Sequence, residues 1–407
     1  MSYDATLVRY GEIALKGGNR REFLARLKAN LRHALEPHPG SQLLELQGRF
    51  LALHGGKSPA AVDALARVCG VTSVSPAVRV DRDPEALERA ALQAVAAALA
   101  SARPATFRVA TRRADKSFPL RSMEVDRRLG AAILARHPAL RVDLEHPDLT
   151  LGVELRDEGA FIFHERRPGP GGLPCGSLGR ALALVSGGID SPVAAFLAMK
   201  RGLAVEGIFF HAAEFTGFGA VEKVKRIARV LAGFSPRFAL HVAPFGPVQV
   251  AIQSAGDAAY RTILYRRMMH RIAVAIARER GLAALVTGDN LGQVASQTLE
   301  NLSLTAAASE LPLLRPLLTF DKEEIVQLAR RIGTYDLSIL PEPDCCTLFQ
   351  PLHPRIRGDE AEAAANEARI DVAGLVAAAL RGVECWAFRP GQEGRPVRSG
   401  GMAQASS

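Results

Sequence analysis

The sequence predicts an α/β protein in which a parallel sheet with helices on both faces follows two smaller α+β segments. Three observations carry this. From residue 180 onward, apolar strand-like runs alternate with helical stretches, the pattern of a covered parallel sheet. Before residue 167 the runs arrive instead as strand–helix–strand and hairpin signals. Between the two lies RRPGPGGLPCGSLG (166–179), too rich in Pro and Gly to hold a regular element and therefore the best domain boundary.

Taken in order, Ala5–Arg9 reads as a strand and Glu12–Gly18 as a loop. Arg20–Leu35 reads as a helix with Phe23, Leu24, Leu27, Leu31 and Leu35 at helical spacing, and Gln42–Leu53 as paired strands broken near Gly48. A second segment reads as helix (Pro59–Cys69), strand (Thr72–Val80), helix (Pro84–Ala102), strand (Thr106–Thr111) and helix (Ser122–Ala135). It closes with a hairpin, Leu149–Leu155 and Ala160–His164. The third reads as strands at Arg180–Val185, Ala204–Phe210, Ala239–Val242 and Ala283–Thr287. Its helices are expected at Ser191–Arg201, Val221–Leu231, Asp257–Arg280, Gly292–Leu302 and Asp321–Ile332. The expected boundaries are 1–57, 58–167, a linker at 168–179, 180–390, and a disordered Gly/Ser/Arg-rich tail at 391–407.

No run of eighteen apolar residues and no charged-then-apolar leader is present, so a cytoplasmic protein with no membrane partner is expected. Five cysteines in 407 residues make no disulfide framework, and without a CxxC pair or HExxH no zinc site is expected. The net charge is +9, and residues 1–180 hold 27 Lys and Arg against 20 Asp and Glu. That excess suits a polyanionic partner.

The most specific signal is LALVSGGIDSP (182–192), an apolar strand, a Ser-Gly-Gly turn, and a helix opening at Asp190-Ser191-Pro192. Glycines let backbone N–H groups face an anion, and the helix N-terminus adds its positive end. The pattern is neither GxxxxGK[ST] nor GxGxxG. It resembles the SGGxDS loop of the PP-loop ATP pyrophosphatases, which implies ATP split between its α- and β-phosphates. A second chemical signal is PEPDCCTLFQPLHP (341–354), where Cys345 and Cys346 sit in a Pro-rich loop suited to an accessible thiol. Two small buried cysteines are the alternative reading.

Together RYGEIALKGGNRREF (9–23), LTLGVELRDEGAFIF (149–163), SGGIDSP, TGDNLGQVASQT (287–298) and DCCTLF (344–349) resemble the tRNA 4-thiouridine synthetases over nearly the whole chain to about residue 390. The resemblance implies a ferredoxin-like domain, a THUMP RNA-binding domain and a PP-loop domain. It implies ATP and Mg2+ as cofactors, tRNA as substrate and a cysteine desulfurase as persulfide donor, and leaves the oligomeric state open, with a homodimer among the options. It implies an adenylated uridine at position eight whose C4 oxygen is replaced by sulfur. The residues it points to for nucleotide binding are Leu184, Val185, Ser186, Gly187, Gly188, Asp190, Ser191, Phe209, Phe210, Arg266, Gly288 and Gln297. For catalysis it points to Asp190, Lys322 and a persulfide on Cys345 or Cys346. Some members add a rhodanese-like domain, for which 407 residues leave no room. The family's second role, in thiazole synthesis for thiamine, is weakened accordingly, and Cys69, Cys175 and Cys385 are expected to be dispensable for thiolation. An amide-forming PP-loop synthetase and a tRNA-binding protein without catalysis are the competing readings. They are opposed by the RNA-binding resemblance and by the intact loop respectively.

Overall fold

The computed structural model describes residues 3–56, 58–102, 104–212, 219–255, 257–342, 351 and 353–397. The chain divides into two compact units, Met1–Arg20 with Leu31–Gly172, and Arg21–Asn30 with Leu173–Ser407. No helix among the described residues is long and apolar enough to cross a membrane.

The first unit is built on one nine-stranded sheet. The elements along the chain to residue 168 are β1 (Ala5–Tyr10), α1 (Arg20–Leu35, of which Arg21–Asn30 belongs to the second unit), β2 (Gln42–Leu46), β3 (Arg49–Leu53), α2 (Pro59–Arg67), β4 (Val71–Val80), α3 (Pro84–Ala102), β5 (Thr106–Arg113), α4 (Ser122–Arg136), β6 (Arg141–Val142), β7 (Leu149–Arg156), β8 (Gly159–Phe163) and β9 (Arg167–Pro168). The ten-residue β4 joins two halves: Val71–Ala77 pairs antiparallel with β1, and Val78–Val80 with β8. Beyond β8 the order continues β7-β5-β6, with β5 parallel to β7. The small residues of α3, Ala91, Ala94 and Ala98, let it pack closely with Leu129 and Ile133 of α4 and Leu151 and Val153 of β7. Two local expectations are corrected. Glu12–Leu15 forms a 3-10 turn inside the expected loop. The Pro/Gly stretch also contributes a pairing, Arg167–Pro168 against Ser73–Val74, before left-handed Gly171 and Gly172 break the strand.

The second unit has strand order β14-β13-β10-β11-β12-β15-β16. Its elements are β10 (Arg180–Leu184), α5 (Asp190–Lys200), β11 (Ala204–His211), α6 (Gly219–Leu231), β12 (Phe238–Pro244), α7 (Gly246–Ala255), α8 (Arg261–Glu279), β13 (Ala284–Val286), α9 (Leu299–Ala306), β14 (Leu313–Leu314), α10 (Lys322–Ile332), α11 (Tyr335–Ser338), α12 (Glu360–Glu367), α13 (Val372–Arg381), β15 (Glu384–Phe388) and β16 (Arg395–Val397). β14 through β12 run parallel, as the alternation predicts. One face buries Leu182, Ile208, Phe210 and Ala243 against Val248 and Ile252 of α7 and Met268 and Ile272 of α8. α5 and α6, which contribute nothing to that cluster, pack on the strands from the other side.

Several departures from expectation have local causes. The helix expected over Gly292–Leu302 begins only at Leu299, because Val294 and Thr298 are extended and Thr298 caps the helix through Asn301 N–H. The single helix expected over Asp257–Arg280 starts at Arg261, after a 3-10 turn capped by Asp257. The tail expected to be disordered from residue 391 supplies β16, which pairs antiparallel with β15, itself antiparallel to β12. Residues 398–407 lie outside the described residues.

Glu206 is a charged residue in the otherwise apolar strand β11. It survives burial through His241 Nε2 on β12 at 2.8 Å and Arg280 Nε at 3.2 Å. Burial opposes the charge on His241, but hydrogen bonds with Cys385 and Glu206 outweigh it and raise its pKa to about 9. Burial likewise opposes the charge on Glu206, and His241 and Arg280 bring it down to about 2. A pKa raised above the unfolded value stabilises the fold fully below about 6.5 and ceases to do so as pH climbs through about 9. The thermal midpoint should therefore fall between pH 6.5 and pH 9. Glu206→Gln should lower it at pH 6.5 and flatten that slope; an unchanged slope would remove the pair from the stability of this unit.

Candidate nucleotide and RNA sites

The loop after β10 holds its shape through its own serines. Ser191 Oγ, in the first turn of α5, accepts from Ser186 N–H at 2.7 Å and lies 3.1 Å from Ser186 Oγ. Ser186 Oγ in turn accepts from Gly188 N–H at 3.2 Å. This curls the chain over the start of α5, whose first-turn N–H groups have no intrahelical acceptor and point outward with the positive end of the dipole.

Two further segments close on this turn. Gly288, at the end of β13, passes so near α5 that a Cβ there would stand 2.8 Å from Ser191 N and 2.9 Å from its Cα. Asp190 receives Lys322 Nζ on Oδ1 at 2.5 Å and Gln293 Nε2 on Oδ2 at 3.0 Å. Lys322 is the first residue of α10, placed by a capping box in which Asp321 accepts from Glu324 N–H and Glu324 accepts from Asp321 N–H.

A cavity of about 280 Å3 opens beside the loop, at the carboxyl ends of β10 and β13, where open α/β sheets hold ligands. Of the residues expected from sequence, Leu184, Ser186, Gly188, Asp190, Ser191, Arg266, Gly288 and Gln297 line it. Lys322 reaches it through Asp190. Gln297 is 9% exposed and its Oε1 has no partner among the described residues, so a buried acceptor stands in this cavity. Arg266 is committed to Asp289 through Nη2, and Arg315 Nε holds the other oxygen of Asp289 at 3.1 Å. His270 Nδ1 donates to Thr305 O at 2.8 Å. Burial first, then Arg266, Arg315 and Arg267, lowers its pKa to about 4, so the ring is neutral with Nε2 as an acceptor.

Other expected residues are not gathered here. Val185 is buried in the sheet. Phe209 and Phe210 are 3% and 5% exposed, and Phe210 packs edge-on to Phe245 at 5.3 Å. Their rings belong to the core, and only backbone is left to meet a ligand at the end of β11. Gly187 faces Lys223, whose Cδ and Cε would lie 3.3 Å from a Cβ there. Cys345 and Cys346 lie outside the described residues.

Lys223 escaped the sequence reading. Its buried ammonium donates to Ser338 O at 2.9 Å and Leu340 O at 2.7 Å, while Ser338 Oγ donates to Gly188 O at 3.2 Å. The signal was present: Lys223 falls on the apolar stripe Ala220, Val224, Ile227 and Leu231 of α6, where a charge needs internal partners.

In the first unit three arginines surround one carboxylate, with Arg112 and Arg166 close enough to act on them. Arg49 and Arg156 both hold Glu154, the latter at 3.0 Å, and Arg9 stands 3.6 Å from it. Arg9 also lies over Phe163 at 5.0 Å. Burial, then Arg166, Arg112 and Arg156, lowers the Arg9 pKa to about 10; burial, then Arg156, Arg9 and Arg112, lowers Arg49 to about 9. Mutually repelling guanidiniums on one sheet make a field that attracts phosphate.

Family models match in three consecutive stretches. The ThiI ferredoxin-like domain covers residues 5–75, the THUMP domain 81–165, and the thiamine biosynthesis protein (ThiI) model 176–372. A probable tRNA sulfurtransferase of Moorella thermoacetica is 46% identical over 389 residues, 95% of this chain and 98% of that protein. The chain belongs to the tRNA sulfurtransferase family. The relative from Brevibacillus brevis is 43% identical across 94% of the chain and 96% of its own length. Among solved structures, a 4-thiouridine synthetase in complex with RNA and with bound ATP matches with a TM-score of 0.85 and 39% identity. That match covers 95% of this chain and 99% of the other. The expected fold class is thereby borne out: a PP-loop parallel-sheet domain after ferredoxin-like and THUMP domains.

In this family member the two loop glycines should differ in cost. Gly288→Ala forces backbone apart and should lose about 1–3 kcal/mol in chemical denaturation. Gly187→Ala presses only on the Lys223 side chain and should lose less; equal losses would show that Gly288 is not held tightly against α5.

Proposed function

We propose that this chain is an ATP-dependent tRNA sulfurtransferase that adenylates uridine at position eight of tRNA and replaces its C4 oxygen with sulfur. The observation that carries the reading is the loop at 186–191, set on a helix N-terminus with Asp190 and Lys322 paired beside it. Membership in a family whose relatives align end to end supports it. The positive field of the arginine cluster in the first unit favours RNA phosphates, and the cavity beside the loop takes a nucleoside, whose N–H donors suit a Gln297 Oε1 that has no partner among the described residues.

The chemistry follows from charge. Loop N–H groups and the α5 dipole hold the phosphates. Uridine O4 attacks the α-phosphorus, pyrophosphate leaves, and negative charge grows on the phosphoryl oxygens within reach of Lys322. For Lys322 to serve, its ammonium moves from Asp190 toward phosphate, a short shift for a side chain 48% exposed. A Mg2+ ion would supply further neutralisation on the phosphates. Asp190 is the lining carboxylate that fits it, since Asp289 is closed by Arg266, Arg315 and Thr287. AMP makes the C4 oxygen a good leaving group. A persulfide on Cys345, or on Cys346, delivered by a cysteine desulfurase, attacks C4 through its terminal sulfur and expels AMP, leaving a C4–S–S–Cys disulfide. A second thiol, free cysteine in the reaction mixture, then attacks the protein sulfur, forms a new disulfide with it and releases 4-thiouridine.

The test supplies the protein with unmodified tRNA, Mg-ATP, a cysteine desulfurase and cysteine, then digests the tRNA for mass spectrometry. Wild type should yield 4-thiouridine at position eight. One of Cys345→Ala and Cys346→Ala should yield none, while changing Cys69 or Cys175 should not matter. Absence of 4-thiouridine from the wild-type reaction would overturn the reading.

A further inference from the structure

At the amino ends of β10, β11 and β12, the opposite edge of the sheet from the loop, lies a second cavity of about 120 Å3. Arg180, Glu206, Arg237, Arg280 and Cys385 contribute to its walls. Its charges do not balance. Among the described residues Glu206 is the one acidic residue lining it, and both of its oxygens are taken. Oε1 accepts from Arg180 Nη2 at 2.8 Å and Arg280 Nη2 at 3.2 Å. Oε2 accepts from His241 Nε2 at 2.8 Å and Arg280 Nε at 3.2 Å.

Nothing is left for Arg237. Arg237 is an exposed side chain at the rim of the cavity, and its guanidinium makes no hydrogen bond or ion pair among the described residues. Its proton affinity lies below the ordinary arginine value, through burial first and then the repulsion of Arg180 and Arg280, which the pull of Glu206 does not cancel. Arg180, His241 and Arg280 already share the Glu206 carboxylate, His241 from behind it and protonated at neutral pH, so Arg180, Arg237 and Arg280 border the cavity with an excess of positive charge. Such a cluster is stabilised by an anion that can accept from several N–H groups at once, and guanidinium groups suit oxyanions in particular. At about 30 Å3 per water the space equals a few water molecules, which admits an ion of four oxygens and shuts out a nucleotide.

We propose that this cavity is a second ligand site, taking a small, doubly charged inorganic oxyanion of the phosphate or sulfate kind between Arg180, Arg237 and Arg280. It lies apart from the nucleotide loop, uses none of the residues assigned to the sulfur-transfer reaction, and does not depend on that assignment. Arg237 is the residue through which it is separable, because it donates to nothing among the described residues and its loss leaves none of them unpaired.

The experiment is a calorimetric titration of the full chain with inorganic phosphate, at ionic strength matched with chloride. It compares wild type, Arg237→Ala, Arg237→Gln and the loop variant Ser191→Ala. Wild type should show two classes of site, one at the loop and one here. Ser191→Ala should retain the second. Both Arg237 variants should weaken it by about tenfold or more, as expected for loss of a charged hydrogen bond to an oxyanion. Phosphate binding by the Arg237 variants that superimposes on wild type would overturn the proposal, as would a single class of site lost in Ser191→Ala.

Discussion

The close approach of Gly288 to the first turn of α5 is the constraint on which the nucleotide site depends. With backbone meeting backbone at the distance of a missing side chain, the end of β13 is locked onto Asp190 and Ser191. That contact brings Asp289 and Gln293, from the segment after β13, to the loop after β10. Asp289 then anchors Arg266 and Arg315, while Gln293 and Lys322 meet on the Asp190 carboxylate. Three stretches distant in sequence become one charged site because one position lacks a Cβ.

The site separates residues that shape it from those that face a ligand. Ser191 and Ser186 spend their hydroxyls on the loop, and Lys223 ties that loop to the segment at Ser338–Leu340. Arg266, conspicuous in sequence as a cation, is neutralised by Asp289. Among the described residues, what faces a ligand is the N-terminus of α5, the Lys322 ammonium on its exposed side chain beside Asp190, and the Gln297 oxygen, which has no partner there. That set suits a substrate with phosphates at one end and N–H donors at the other.

How far this was legible from sequence follows from where each signal is encoded. SGGIDSP and the Asp321–Glu324 capping box are local: the spacing itself dictates backbone geometry. Gly288 was visible within TGDN, but its reason is a contact with residues a hundred positions earlier that no local pattern reports. Phe209 and Phe210 were assigned to the nucleotide by the family resemblance, and the apolar character that makes their strand also buries their rings. Lys223 was passed over because a lysine reads as surface unless the helical stripe around it is checked. β15 and β16 went unread because they are short and add antiparallel beside β12, outside the parallel alternation on which the reading rested. In the first unit the excess of basic residues was countable, but its concentration around Glu154 depends on β1, β3 and β7 sharing a sheet.

The measurement that bears most directly on the central claim is the release of AMP and pyrophosphate from ATP in the presence of unmodified tRNA, for wild type, Asp190→Asn and Lys322→Met, with thermal midpoints recorded alongside. If the Asp190–Lys322 pair beside the loop governs phosphate chemistry, both variants lose about a hundredfold or more in rate while their midpoints stay near wild type. Wild-type turnover in either variant would contradict the account and move the reacting phosphate away from this pair.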